Sequence, residues 1–466
     1  MSADSIQPTR TLVKNGTFID GTGKPPVKNA AVLVDSNKIT AVGAQAGADV
    51  RPGDPTVRVI DAGGKTIMPA LIDGHCHISY GDVRTQEESD ISASREYRAI
   101  RGVWNAQKVL RAGVTSFCDP GSTCMVSVGV RDAIYSGMFE GPRIFAAGPF
   151  LTSYNGIGDY FPTWVKVPTG IGVLTNTLPE MITEVRKQVK EGVDLIKVAA
   201  SGDVSNPTAG ADTSSLTLEE LTAIAKEVHR LGRRVTAHAR AGLSAADCSR
   251  AGFDWIMHGT LMTDQHLDVL LKNNTPLMPS LTYLTNAVEF GKDCSLSQSM
   301  IDGCQWELDR ALPILSKAHK AGLPLLIGSE SGFALIPYGH WHARELETYV
   351  KYLGFTAMEA IVAATKLNAI TVGLTGKIGT LEPGMLADLL VVDGDPLANI
   401  AILQDLSKIK VVMKGGELVD LNRPWPAKKD WAYEQTISFG WKLAENPSVT
   451  ALNGASKASG AGEAAA

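Results

Sequence analysis

From Lys65 to Ile378 short apolar runs alternate with longer amphipathic stretches, and this alternation constrains the fold more than any other feature. The runs are Thr66–Ile72, Thr115–Cys118, Arg143–Ala146, Leu195–Val198, Arg234–His238, Trp255–His258, Pro276–Pro279 and Leu325–Gly328. Between them lie helical patterns such as Glu180–Glu191, Leu218–Leu231 and Asp264–Lys272. The second of these places apolar residues at 218, 221, 224, 225, 228 and 231, one face of a helix, and opens on the capping-box pattern Thr217-Leu218-Glu219-Glu220. Eight strands, with helices between them, predict an α/β fold of the (β/α)8 TIM-barrel type.

The flanks read differently. Residues 1–64 hold short β-rich runs broken by Asn15-Gly16, Asp35-Ser36-Asn37 and Asp61-Ala62-Gly63-Gly64, which are hairpin signals. Strands return in 381–421, so both chain ends are expected to build one small β-sandwich domain beside a barrel spanning 65–380. Residues 422–466 form an extension carrying Trp425, Trp431, Phe439 and Trp441, followed by an Ala/Gly/Ser tail.

Composition narrows the class. Of 466 residues, 44% are hydrophobic and 20% charged, which excludes global disorder. The net charge of −5 offers no basic excess for nucleic acid. No apolar run has membrane-spanning length, and the polar start Met1–Arg10 points to a cytoplasmic protein. Six scattered cysteines without a CxxC pair read as free thiols. The expected partners are a small-molecule substrate and further copies of the chain in a homo-oligomer.

Chemistry-bearing residues fall at the predicted strand ends. Asp73-Gly74-His75-Cys76-His77 sets two imidazoles two residues apart, as a metal site requires, although two polar loop histidines give the same pattern. His238 and His258 end two further strands, Glu330 follows the last, and Lys197 sits inside an apolar strand where an amine is costly unless paired or modified. Barrel enzymes carry their active sites at these mouths. Three or more histidines with an acidic oxygen suit a divalent metal with an open position, zinc first, then cobalt or manganese.

With these residues the sequence resembles the metal-dependent amidohydrolase superfamily, in its imidazolonepropionase and Xaa-Pro dipeptidase-like branch. The matching segments are Met68–His77, Asp194–Lys197, Val235–Ala239, His258–Thr260, Gly328–Gly332, Gly384–Leu389 and Val412–Gly416. The resemblance implies one or two ions: His75 and His77 on the first, His238 and His258 on the second, and a carboxylated Lys197 between them. It further implies that the acid after strand eight is general base and ligand, with His258 helping to stabilise the oxyanion. Three departures stand out. Glu330 replaces an Asp, Gly156-Ile157-Gly158-Asp159 replaces a Gly-His-Gly-Asp loop, and Arg240 stands where Tyr or His is common.

Around the mouth, Tyr154, Ile157, Phe161, Trp164, Phe333 and Trp341 suggest an apolar substrate pocket, with Arg240 as a polar contact. His340 and His342, in the same loop as Trp341, are further candidates for substrate contact. In general character the chain resembles the bacterial phenylurea and molinate hydrolases. The expected reaction is hydrolysis of a carbonyl–nitrogen bond in a neutral N-substituted phenylurea, carbamate or anilide. Thiocarbamate hydrolysis, an Xaa-Pro dipeptidase, a heterocycle deaminase and a non-catalytic assembly protein are the alternatives.

Overall fold

Ala70 alone separates two strands that belong to different sheets: β5 (Thr66–Pro69) and β6 (Leu71–Asp73). The computed structural model describes residues 9–83, 86–91, 93–154, 156–165, 170–204, 209–294 and 296–425. The extension from residue 426 onward, with Trp431, Phe439 and Trp441, lies outside the described residues.

β5 joins β1 (Arg10–Phe18), β2 (Val27–Asp35), β3 (Lys38–Gly43) and β4 (Val57–Asp61) to three late strands, β15 (Leu389–Val392), β16 (Ile409–Lys414) and β17 (Glu417–Leu418). Their order is β17-β16-β15-β5-β1-β2-β3, with β4 also on β1. β15 runs antiparallel to β5 with Leu389 opposite Pro69 and Val392 opposite Thr66. Val13, Val32, Val34, Ile67, Leu389 and Val391 form the apolar cluster of this sheet.

The second set of strands is parallel. β6 pairs β7 (Val114–Asp119), which pairs β8 (Arg143–Ala146). β10 (Gly172–Leu174), β9 (Phe150–Thr152), β11 (Leu195–Ala199), β12 (Arg234–Ala241), β13 (Trp255–Leu261) and β14 (Leu277–Met278) follow in that order. The eighth staff is the run 325–328. It forms no continuous ladder, yet the Leu326 N–H donates to Leu277 O at 2.8 Å and the Gly74 N–H to Ile327 O at 3.0 Å, which closes the ring. The result is a TIM barrel. The expected single run Thr66–Ile72 is thus two strands: the Ala70 N–H still donates to Asp388 O at 3.1 Å, on the side of β15, and the Leu71 N–H donates to Gly113 O at 3.0 Å, on the side of β7.

Local sequence explains the helices. In Leu218–Arg230 the Thr217 hydroxyl accepts from the Glu220 N–H at 3.3 Å, and the Glu220 carboxylate accepts from the Thr217 N–H at 2.8 Å. Leu221, Ile224, Ala225 and Val228 are buried along one face. Thr177 and Glu180 start Leu178–Lys190 in the same way. Inside the ring, Ile72, Leu195, Trp255, Met257, Met278 and Leu326 form an apolar floor. The candidate site lies above it. Among the described residues no helix is long and apolar enough to cross a membrane.

Candidate functional site

Alternation along the strands decides which groups reach the barrel interior. Leu195 belongs to the interior floor, so Lys197, two residues on, also faces inward. On β13 Trp255 and Met257 face inward, which would send His258 outward toward the helices with Ile256. The backbone prevents this: His258 has φ 75°, and Glu330 has φ 61°. Left-handed backbone is disfavoured for residues with a Cβ and persists where surrounding structure enforces it, typically at functional sites. At Glu330 it turns the side chain into the cavity, and at His258 it accompanies a ring whose nitrogens lie near those of His75 and the Glu330 carboxylate.

His75, His77, Lys197, His238 and Glu330 line one cavity together with Tyr80, Pro120, Phe150, Ile157, Ile171, Asp203 and Phe333. His75 Nε2 lies 3.0 Å from His77 Nε2. Ligand atoms of His75, His258 and Glu330 fall within 4.8 Å of one another. His258 Nε2 is 3.9 Å from Glu330 Oε1, and the His238 and His258 rings are 4.6 Å apart.

Two tautomers follow from the partners. His77 Nδ1 lies 2.8 Å from Gly121 O, and His238 Nε2 lies 3.0 Å from Gly202 O. A carbonyl only accepts, so those nitrogens carry the protons and the opposite ones, His77 Nε2 and His238 Nδ1, keep their lone pairs. Burial pushes the His77 and His238 imidazoles down to about 3 and holds His75 and His258 well below the usual range. All four are therefore neutral, the form in which imidazole ligates a metal.

The donor set fits a divalent cation. Both ring nitrogens of His258, and Glu330 Oε2, are buried without a hydrogen-bond partner, which is costly unless a ligand takes them up. Burial pushes the Glu330 carboxyl up to about 8 against the pull of Arg240, and pushes the Lys197 amine down to about 7 against Glu330. The nearest polar contact of Lys197 Nζ is Met257 Sδ at 2.6 Å, a poor partner for an ammonium group.

A supporting shell holds the strand ends. Asp73 accepts from the N–H groups of His75 and Ser329 at 3.0 Å each, from Ser329 Oγ at 2.5 Å and from His342 Nδ1 at 2.7 Å. Asp119 accepts from the Ile78 N–H at 3.0 Å and from Ser127 Oγ at 2.5 Å.

The family profile described as "Amidohydrolase family" matches residues 66–419, about three quarters of the chain. The chain belongs to the amidohydrolase family. An ochratoxinase of Aspergillus niger is 29% identical over 434 residues, covering 88% of this amidohydrolase and 86% of the relative. A solved Xaa-Pro dipeptidase with bound methionine superposes with TM-score 0.77 at 27% identity, covering 88% of this chain and 100% of that one. Phenylurea hydrolase B superposes with TM-score 0.68 at 20% identity, covering 88% and 97%, a likeness of fold alone. The amidohydrolase is thus a hydrolytic enzyme acting on carbon–nitrogen bonds.

Several residues expected at the mouth lie elsewhere in this amidohydrolase. Ile157 and Phe333 line the cavity, but Tyr154 and Trp164 are 59% and 82% exposed and Phe161 is half-buried outside the wall. Trp341 is fully buried, its ring 6.1 Å from Phe290 and 5.8 Å from the Arg344 guanidinium. Arg240 is not available to substrate: its Nε lies 2.6 Å from Asp203 and its Nη1 2.5 Å from Glu307. His342 bonds Asp73 rather than facing substrate. Conversely, Tyr80 and Ile171 line the cavity and were not expected there. Tyr80 stacks on His77 with centroids 4.3 Å apart and planes 2° from parallel. Its position three residues after His77 was the only available signal.

Proposed function

We propose that this amidohydrolase hydrolyses a non-peptide carbonyl–nitrogen bond in a neutral, apolar substrate, a phenylurea, carbamate or anilide, with a thiocarbamate as the second class. The observation that carries the reading is the mixed lining of the cavity. Beside His75, His77, His238, Lys197, Glu330 and Asp203 it carries Tyr80, Pro120, Phe150, Ile157, Ile171 and Phe333. An apolar wall strips a charged group of water without offering a partner, and favours an aryl or alkyl group by roughly 25 cal/mol per Å² buried. The engagement of Arg240 by Asp203 and Glu307 weighs against a dipeptide, whose carboxylate would call on that guanidinium.

In this reading His75, His77, His238, His258 and Glu330 would hold one or two divalent ions, zinc first, cobalt or manganese otherwise, and a carboxylated Lys197 would add a negative charge to the set if two are present. When bound, the metal supplies Lewis-acid activation of the attacking water and of the carbonyl. Glu330 takes the proton from that water, and a carboxyl that burial brings near neutrality can also return it to the departing nitrogen. Where the ion is held by the other residues, the N–H of His258 is assigned to steadying charge that develops on the carbonyl oxygen. The sheet built from both chain ends is read as a small β-sandwich domain, and the enzyme as a cytoplasmic homo-oligomer.

The test compares kcat/KM for a neutral phenylurea, a neutral thiocarbamate, ochratoxin and several Xaa-Pro dipeptides on one zinc-loaded preparation. Dipeptides turning over faster than both neutral classes would overturn the reading.

A further inference from the structure

Three of the four site histidines leave their protonation no choice or no partner. His77 and His238 face carbonyls of Gly121 and Gly202, and His258 has no hydrogen-bond partner on either ring nitrogen. His75 is different: its Nδ1 lies 3.0 Å from Ser280 Oγ, a hydroxyl that can donate or accept. Ser280 is wholly buried and sits just beyond β14 with φ 51°. A glycine adopts that backbone without strain, whereas serine adopts it at a cost and contributes only its hydroxyl. Glu345 anchors the next two residues: its carboxylate accepts from the N–H groups of Leu281 and Thr282 at 2.8 and 2.7 Å and from Thr282 Oγ1 at 2.6 Å. The strained position is therefore held from below while its hydroxyl is aimed at His75.

We propose that Ser280 is a positioning residue whose hydroxyl lets His75 exchange tautomers when the site takes up metal, an inference that rests on His75 being a ligand. With no ion between the rings, two Nε2 lone pairs facing each other at 3.0 Å would repel. His77 cannot relieve this, because Gly121 keeps its proton on Nδ1. His75 can: its Nε2–H donates to His77 Nε2 while Ser280 O–H donates to Nδ1. When an ion takes up both Nε2 lone pairs, the His75 Nε2 proton leaves and one proton is taken up at Nδ1, so none is released overall. Ser280 Oγ then rotates to accept from Nδ1–H, fixing the ring and raising its basicity as a ligand. A backbone carbonyl opposite His75 would hold only the second arrangement.

Ser280→Gly and Ser280→Ala separate this role from packing. Zinc affinity is measured by competition with a chelator, the d–d absorption is recorded on the cobalt-substituted protein, and thermal unfolding is followed after metal removal. Both variants are expected to lose about 10–100-fold in zinc affinity, the usual effect of removing a group that orients a ligand, and to shift the cobalt spectrum. Metal-free Ser280→Gly should unfold no earlier than Ser280→Ala, since glycine relieves the backbone. Zinc affinity within about threefold of the parent in the glycine variant would overturn the proposal. His75→Ala is the control: if it too retains zinc, the ligand assignment falls as well; if it loses zinc while Ser280→Gly does not, only the role of Ser280 falls.

Discussion

His75 Nε2 faces His77 Nε2 across 3.0 Å, with the His77 proton held on the far nitrogen by Gly121. Two nitrogens that each bind one ion at about 2.0–2.1 Å can sit at such a separation. His75→Ala and His77→Ala should each abolish stoichiometric metal and hydrolysis together, as measured by elemental analysis and a rate assay on the same samples. Full metal and full rate in either variant would place the ion elsewhere.

Glu330 is expected to move the proton, so Glu330→Gln should lower kcat by at least about 10²-fold. The amide keeps the side-chain shape, and thermal unfolding should shift little. An active Gln variant would show that the base is another group.

The buried cation Arg240 is shared by Asp203 and Glu307, and Thr260 Oγ1 also donates to Glu307 at 2.5 Å. Removing one partner of a buried pair leaves uncompensated charge, which costs about 3–5 kcal/mol. Arg240→Met should therefore lower stability by about that amount in urea titration, and Arg240→Met with Glu307→Gln should recover part of it. A single variant as stable as the parent would show that the acids are protonated and the pair idle.

Glu227 accepts from Arg230 and from Arg186 on the neighbouring helix, and these bonds draw its carboxyl down to about 2. A carboxyl with a depressed native pKa adds stability that is fully present above about pH 4.5 and is lost as pH falls toward 2. Glu227→Gln should therefore narrow the gap in stability between pH 6 and pH 3. Because both arginines are largely exposed, 1 M salt should shrink the effect. A variant with an unchanged acid slope would refute it.

How far the sequence revealed all this depended on range. Thr217 and Glu220 are three residues apart, and their reciprocal caps were legible from residue types alone. The apolar runs placed His75, His77, Lys197, His238, His258 and Glu330 near one rim, since where a strand ends is a local property. The left-handed backbone at His258 and Glu330, with which their ligand atoms come within 4.8 Å of those of His75, is announced by no periodicity. Arg240 looked like a free cation because its partner Glu307 lies 67 residues away on the helix Gln298–Lys320. Ser280 is 205 residues from His75, and a lone serine carries no motif. The loop aromatics Tyr154, Trp164 and Trp341 misled for a related reason: outside a regular element, composition does not say which way a ring faces.

The hinge at Ala70 has a consequence for how the chain is made. β5 pairs residue for residue with β15, so Pro69 meets Leu389 only after roughly 320 further residues have been added, about 15–60 s of synthesis. β5, which leads through Ala70 and β6 into His75 and His77, thus has only β1 beside it for most of the time the ribosome is at work. The barrel staves, β6 against β7 first, can pair in order as they emerge, while the seam between the barrel and the small sheet is completed last, by the arrival of the final strands.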